Sequence, residues 1–93
     1  MKSDKVSLEK INKYHTLTSK ALAIAKKKIT SGKEKQASEI IKMVSCYLSD
    51  SEYFEKKGDF VNAFACLNYA HGWLDAGARL KIFSVTDNRL FTI

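Results

Sequence analysis

Proline is absent from the 93 residues, so nothing in the chain forces a helix to stop or kink through a missing amide. Glycine occurs only four times, which leaves no glycine-rich phosphate loop. Long apolar runs are missing too, and the first ten residues, MKSDKVSLEK, are charged throughout. Neither a signal peptide nor a membrane span is therefore expected, and a cytoplasmic location follows. Cys46 and Cys66 are the sole cysteines. They lack ligand-type spacing and are too few for a disulfide framework, so free, buried thiols are expected.

What remains is the composition of a folded, mostly helical domain, with 45% hydrophobic and 28% charged residues,. A chain this short makes one domain and hides only roughly 60–65% of the surface its unfolded form exposes. The net charge of +6 is uneven: residues 1–35 hold ten lysines against three acids, whereas residues 36–93 hold six basic residues against seven acids.

Apolar spacing sets the architecture. Leu8, Ile11, Tyr14, Leu17, Ala21, Ile24 and Ala25 recur at intervals of 3 and 4, the stripe of an amphipathic helix over about residues 4–29. Gly32 then breaks the period, and Ser31 with Glu34 forms a capping-box pattern for a second helix over 33–57, built on Ala37, Ile40, Ile41, Val44, Tyr47, Leu48, Ser51 and Phe54. Gly58 can close it in a left-handed conformation, and Asp59 can cap a third helix over 60–82. That third helix carries two stripes. Phe60, Phe64, Leu67, His71, Leu74 and Ala78 lie on one, and Val61, Ala65, Asn68, Gly72, Ala76 and Arg79 on the next. With apolar or small residues on two faces it should be the most buried member, packed by both neighbours. Short connections make the neighbours antiparallel, giving an all-α, up-and-down three-helix bundle. The last residues, 84–93, alternate β-branched and aromatic side chains around a turn-forming TDN, which predicts an extended or hairpin tail.

Helical rise gives a crude register about the turns. It brings Asp50 level with Leu67, Tyr47 with Tyr69 and Val44 with Trp73, so that His15, Asp50, Asn68 and His71 share one slice. A polar slice of this kind is foremost a structural network. A ligand- or metal-binding site at Asp50, His71 and Asp75 is the alternative, since His71 and Asp75 share a face at i and i+4. Gly72 and Ala76 are expected to admit a neighbouring backbone closely, offsetting the helix penalty of glycine, about 1 kcal/mol. Gly77 is expected to loosen the helix. Tyr69 and Trp73 form an aromatic patch suited to packing or to an interface. In the tail Leu90, Phe91 and Ile93 must be covered, either by folding back over that patch or by pairing with a second copy.

The stretch YLSDSEYFEKKGDFVNAFACLNYAHGWLDAGARLKIF resembles a family of small archaeal proteins, the domain of unknown function 357. The likeness covers about residues 37–83 and is carried by YLSD, KGDFVNAF and NYAHGWLDAG. It implies a three-helix bundle from an archaeon with no assigned activity. The family's motif residues map to Asp50, Gly58, Asp59, Asn62, Ala63, Asn68, Tyr69, Gly72, Leu74, Asp75 and Gly77. KGDFVNAFACLNYA is also similar to a tetratricopeptide helix pair, but with one copy and no repeat it is better taken as a single helix hairpin.

No nucleophile elbow is present, and neither His15 nor His71 follows an arginine at nuclease spacing,. The protein is therefore expected to be no enzyme and to need no metal or cofactor. The leading expectation is an interaction module with a protein partner, or a homodimer formed through the tail or the third helix. Lys26, Lys27, Lys28, Lys33 and Lys35 make a basic patch without interleaved aromatics. It reads as a solvated face, with weak binding of nucleic acid or an anionic surface as the lesser reading.

Overall fold

A computed structural model describes residues 6–92. Helices α1 (Leu8–Lys26), α2 (Glu34–Lys56) and α3 (Phe60–Arg79) follow one another in an up-down-up bundle, with no strand among the described residues. α3 packs on both α1 and α2, which touch each other least. The molecule is accordingly flat, 47 × 24 × 16 Å. Residues 4 and 5, where the sequence would begin the first helix, lie outside the described residues.

Local chemistry explains the helix ends. Ser7 caps α1 by accepting from the Lys10 amide at 3.1 Å,. At the end of α2, Gly58 takes φ +77°, and the Gly58 and Asp59 amides return to the Glu55 and Phe54 carbonyls, both at 2.9 Å,. Asp59 then caps α3, accepting from the Asn62 amide at 3.2 Å. The expected Ser31–Glu34 capping box is not made. Lys33 stands at the cap position without a side-chain bond, and the Glu34 carboxylate reaches back to the Gly32 amide instead, at 3.1 Å. The Gly32 turn, at φ +88°, carries Ser31 out of the cap position.

Two helices stop sooner than their apolar period suggests. α1 ends at Lys26 and α3 at Arg79 because the chain beyond each is used to join them. Lys81 adopts φ 62°, and the Ile82 amide bonds the Gly77 carbonyl at 2.8 Å, reversing the chain. Ile29 and Phe83 then form an antiparallel bridge, flanked by Ser84 N to Lys28 O at 2.6 Å and Thr30 N to Ile82 O at 2.9 Å. The tail is thus extended over residues 84–87 and then turns at Asn88–Leu90, with the Leu90 and Phe91 amides on the Asp87 carbonyl at 3.3 and 3.1 Å, and no hairpin forms among the described residues.

The core runs through Ile11, Ala21, Ala25, Ala37, Val44, Ala63, Leu67, Ala70, Leu74 and Phe83. The close approach expected at Gly72 occurs at Gly77. A Cβ there would lie 2.5 Å from Phe83 Cε2 and 3.1 Å from Ile40 Cδ1, whereas one on Gly72 would meet nothing within 4 Å. Gly77 thus seats the Phe83 ring rather than loosening α3. The thiols also differ from expectation: Cys46 is exposed and Cys66 half-buried, since neither lies on the Ala37–Ile40–Val44–Leu48 or Ala63–Leu67–Ala70–Leu74 line. Burial, and then the Asp50 charge, raise the Cys66 thiol above its ordinary 9.0.

Candidate functional site

α3 resolves its two sequence stripes unequally. The first is covered: Leu67, Leu74 and Ala78 are buried and Phe60, Phe64 and His71 partly so. On the second, Val61, Ala65, Asn68, Gly72, Ala76 and Arg79 are all exposed. The expectation that both faces are packed therefore fails, because α1 and α2 lie to the sides of α3 and neither crosses its outer face. Tyr69, Trp73 and Leu80 extend the uncovered strip, with Val61 62%, Tyr69 64%, Trp73 38% and Leu80 68% exposed.

This strip differs in chemistry from the other outer faces. Those of α1 and α2 carry Lys10, Lys13, Lys20, Glu39, Lys42 and Glu52. From Phe60 to Leu74, α3 has no Asp, Glu, Lys or Arg. Ala65, Asn68, Gly72 and Ala76 form the floor of an open trough of about 570 Å3, with the Tyr69 and Trp73 rings on it. Tyr69 is held by stacking on Tyr47 of α2, centroids 5.3 Å apart and planes at 13°,. That pair agrees with the sequence register. A trough this open cannot enclose a small molecule, but its rings and small residues suit a helix or strand laid along it.

The polar slice assembles differently from its sequence reading. Asp50 and Asn68 are exposed, and Asp50 makes no hydrogen bond or ion pair among the described residues. The buried side of α2 runs through Val44, Leu48 and Ser51, which turns Asp50 outward. His15 meets Glu52 at 2.9 Å. His71 bonds the Thr18 hydroxyl through Nδ1 at 3.0 Å and the Leu90 carbonyl through Nε2 at 2.6 Å. A carbonyl only accepts, so Nε2 donates its proton to Leu90, while Nδ1 and the Thr18 hydroxyl share the second bond,. Asp75 stands 3.9 Å from His71 Nε2 and accepts from the Thr92 amide at 2.8 Å and from its hydroxyl at 3.2 Å. His71 and Asp75 are thus together, as expected, but engaged in holding the tail.

That tail seats Leu90 and Phe91, both buried, and Leu90 lines a half-open pocket of about 320 Å3 together with Tyr14, Leu17, Leu67 and Asp75. It folds back on its own chain, as one of the two expected covers requires. It does so over the groove between α1 and α3 and leaves Tyr69 and Trp73 uncovered. Ile93 lies outside the described residues. Sequence reasoning missed Thr18 and Thr92. Thr18, seven residues after Ile11 and three before Ala21, was detectable as a hydroxyl on an otherwise apolar line.

The tail turn has a pH signature. The Arg89 amide, 2.9 Å from Asp87 Oδ1, holds the Asp87 carboxyl below its ordinary 3.8, against the opposing effect of desolvation and with lesser help from the Arg89 side chain and the Leu90 amide. A carboxyl lowered in the folded state stabilises fully above its ordinary value and ceases to do so as pH falls through the folded one. Amide-exchange protection at Arg89 and Leu90 is therefore expected to hold at neutral pH and to fall selectively below pH 3.8. Uniform loss across α3 in that range would contradict a local effect.

Lys26, Lys27, Lys28, Lys33 and Lys35 are all exposed around the α1–α2 connection, at the same end as the C-terminus of α3. Among the described residues no three His, Cys, Asp or Glu side chains are grouped to hold a metal ion, and no helix is long and apolar enough to cross a membrane.

A family model described as a protein of unknown function, DUF357, matches residues 13–83. The chain belongs to the DUF357 family. The DUF357 match takes in α2 and α3 whole, most of α1, and both residues of the Ile29–Phe83 bridge. It thus reaches further into the first helix than the sequence motifs do. The outer strip of α3 lies within the DUF357 span, whereas Leu90, Phe91 and Thr92 lie beyond it. Neither the curated proteins nor the solved structures contain a match.

Proposed function

We propose that this protein is a non-enzymatic, cytoplasmic interaction module whose docking surface is the outer face of α3. The observation that carries the reading is the strip from Val61 to Leu80, uncharged except for Arg79 near its end and left uncovered in a chain whose other outer faces are charged. A row of exposed apolar and aromatic side chains along one helix is the kind of surface that binds protein. Tyr69 and Trp73 are the side-chain types that anchor such interfaces. Gly72 and Ala76 allow a partner backbone to come close, which is the role the sequence assigned to them, directed outward.

The ligand-site alternative has less support. His71 Nε2 is occupied by the Leu90 carbonyl, so a metal or ligand would have to displace the tail first. The basic end offers lysines but no stacking ring or arginine fork, which suits a solvated face better than nucleic-acid recognition.

Size fractionation of an extract of the host cell tests the reading. The native chain is expected well above its own 10.5 kDa, and Tyr69→Lys with Trp73→Lys is expected to return it to the mass of a free chain. Both side chains are exposed, so the bundle should survive the change. Replacement of Lys26, Lys27 and Lys28 by glutamine should leave the large species intact. A native chain running at its own mass, or dependence on the lysines instead of the rings, would refute the reading.

A further inference from the structure

We infer that the occupant of the α3 outer face is a second copy of this chain, docked antiparallel about a two-fold axis level with the Ala70–His71 peptide. The inference rests on the reading of that face as a docking surface and goes on to name its partner. An isologous interface requires the patch to be complementary to itself. Reversing α3 about this level brings Gly72 of one copy level with Tyr69 of the other, Ala65 with Ala76, and Val61 with Leu80. A ring thus comes level with a residue that has no side chain, and a Cβ on Gly72 would meet nothing within 4 Å in the isolated chain. The vacant space therefore lies outside the bundle, where a partner's ring can use it.

Charge favours the same orientation. The end of the bundle at the α1–α2 connection, residues 26–35, holds five lysines and one glutamate. The opposite end holds four acids and two lysines in residues 50–59, and the start of α1 adds Glu9, Lys10 and Lys13, with Lys10 reaching over the Phe64 ring, so that this end is close to neutral. A parallel pair would bring the basic ends together. The antiparallel pair separates them by roughly 30 Å at 1.5 Å per residue, beyond the screening length of about 8 Å at physiological ionic strength. It also brings each basic end to the level of the partner's near-neutral end, where Asp50, Glu52, Glu55 and Asp59 lie. A strip one helix wide makes a small interface, so dissociation in roughly the micromolar range is expected rather than an obligate dimer.

Sedimentation equilibrium of the purified chain is expected to show a mass rising toward twice 10.5 kDa across the micromolar range. Gly72→Leu should weaken that association at least tenfold without lowering the melting temperature, since leucine is the better helix former and fits the isolated chain. Orientation is read in a Cys46→Ser, Cys66→Ser background. A mixture of Ala65→Cys and Ala76→Cys chains should form a mixed disulfide, while Ala65→Cys alone should not. Two copies of residue 65 would lie roughly 16 Å apart along the axis, too far for a bridge. Self-bridging of Ala65→Cys, or undiminished association of Gly72→Leu, would overturn the inference. A purified chain that stays monomeric would do so as well. In that last case a large species in the host extract that is lost on Tyr69→Lys with Trp73→Lys would leave the docking surface standing with a different partner, whereas a monomer in both settings would remove both.

Discussion

Phe83→Ala is expected to lower unfolding stability by about 3–5 kcal/mol, the cost of deleting a buried aromatic ring whose cavity only partly collapses. For a domain of this size that is a large share of the total, which at about 0.05–0.15 kcal/mol per residue comes to roughly 5–14 kcal/mol. The ring is 1% exposed and sits where a Cβ of Gly77 would be. Gly77→Ala alone should consequently cost about 1–3 kcal/mol by overpacking, although alanine is the better helix former. In the Phe83→Ala background the obstructing ring is gone, and only Ile40 Cδ1, the flexible end of its side chain, stays close at 3.1 Å. There Gly77→Ala should become neutral or stabilising by up to about 1 kcal/mol. Chemical denaturation of the four proteins gives the comparison, and a Gly77→Ala effect of the same size in both backgrounds would show that the glycine does not seat the ring.

Phe91→Ala is expected to cost about 3 kcal/mol, the lower end of the range for such changes, because an end segment can detach and so cap the loss. Its signature is local. Thr92 should release Asp75, and Leu90 should release His71, so exchange protection should fall at the Thr92 amide while α2 keeps its own. Trp73 is not beneath the tail, and its fluorescence emission should not move. A red shift of Trp73 would mean that the tail covers the aromatic strip, leaving no free face on α3.

The bundle itself was legible because its determinants are local. The period of 3 and 4 in α1 and α2, the Gly58–Asp59 pair and the short connections each act within a few residues. The level of Tyr47 against Tyr69 was legible too, since a tight turn fixes axial register. Register along an axis does not fix rotation about it. Asp50 was placed at the right height, beside Cys66, yet one position away from the buried Ser51 and hence facing outward. Rotation also misplaced the glycine contact. Nothing local to LDAGAR tells Gly77 that Phe83 will return onto it after the reversal at Lys81, a non-glycine residue at φ 62°. The second stripe of α3 was correctly read as apolar and small. Its burial did not follow, because a short chain supplies only two helices to cover it and both lie at the sides.

The account turns on whether that stripe is covered by protein in the cell. Photocrosslinking from benzoylphenylalanine placed at Val61 or Leu80, the exposed ends of the strip, tests this in the host, with the same group at Lys20 and Lys42 on the outer faces of α1 and α2 as controls. The account predicts a discrete adduct from both strip positions and none from the controls. Adducts arising only from the controls, or none from Val61 and Leu80 while the protein is folded and abundant, would contradict it.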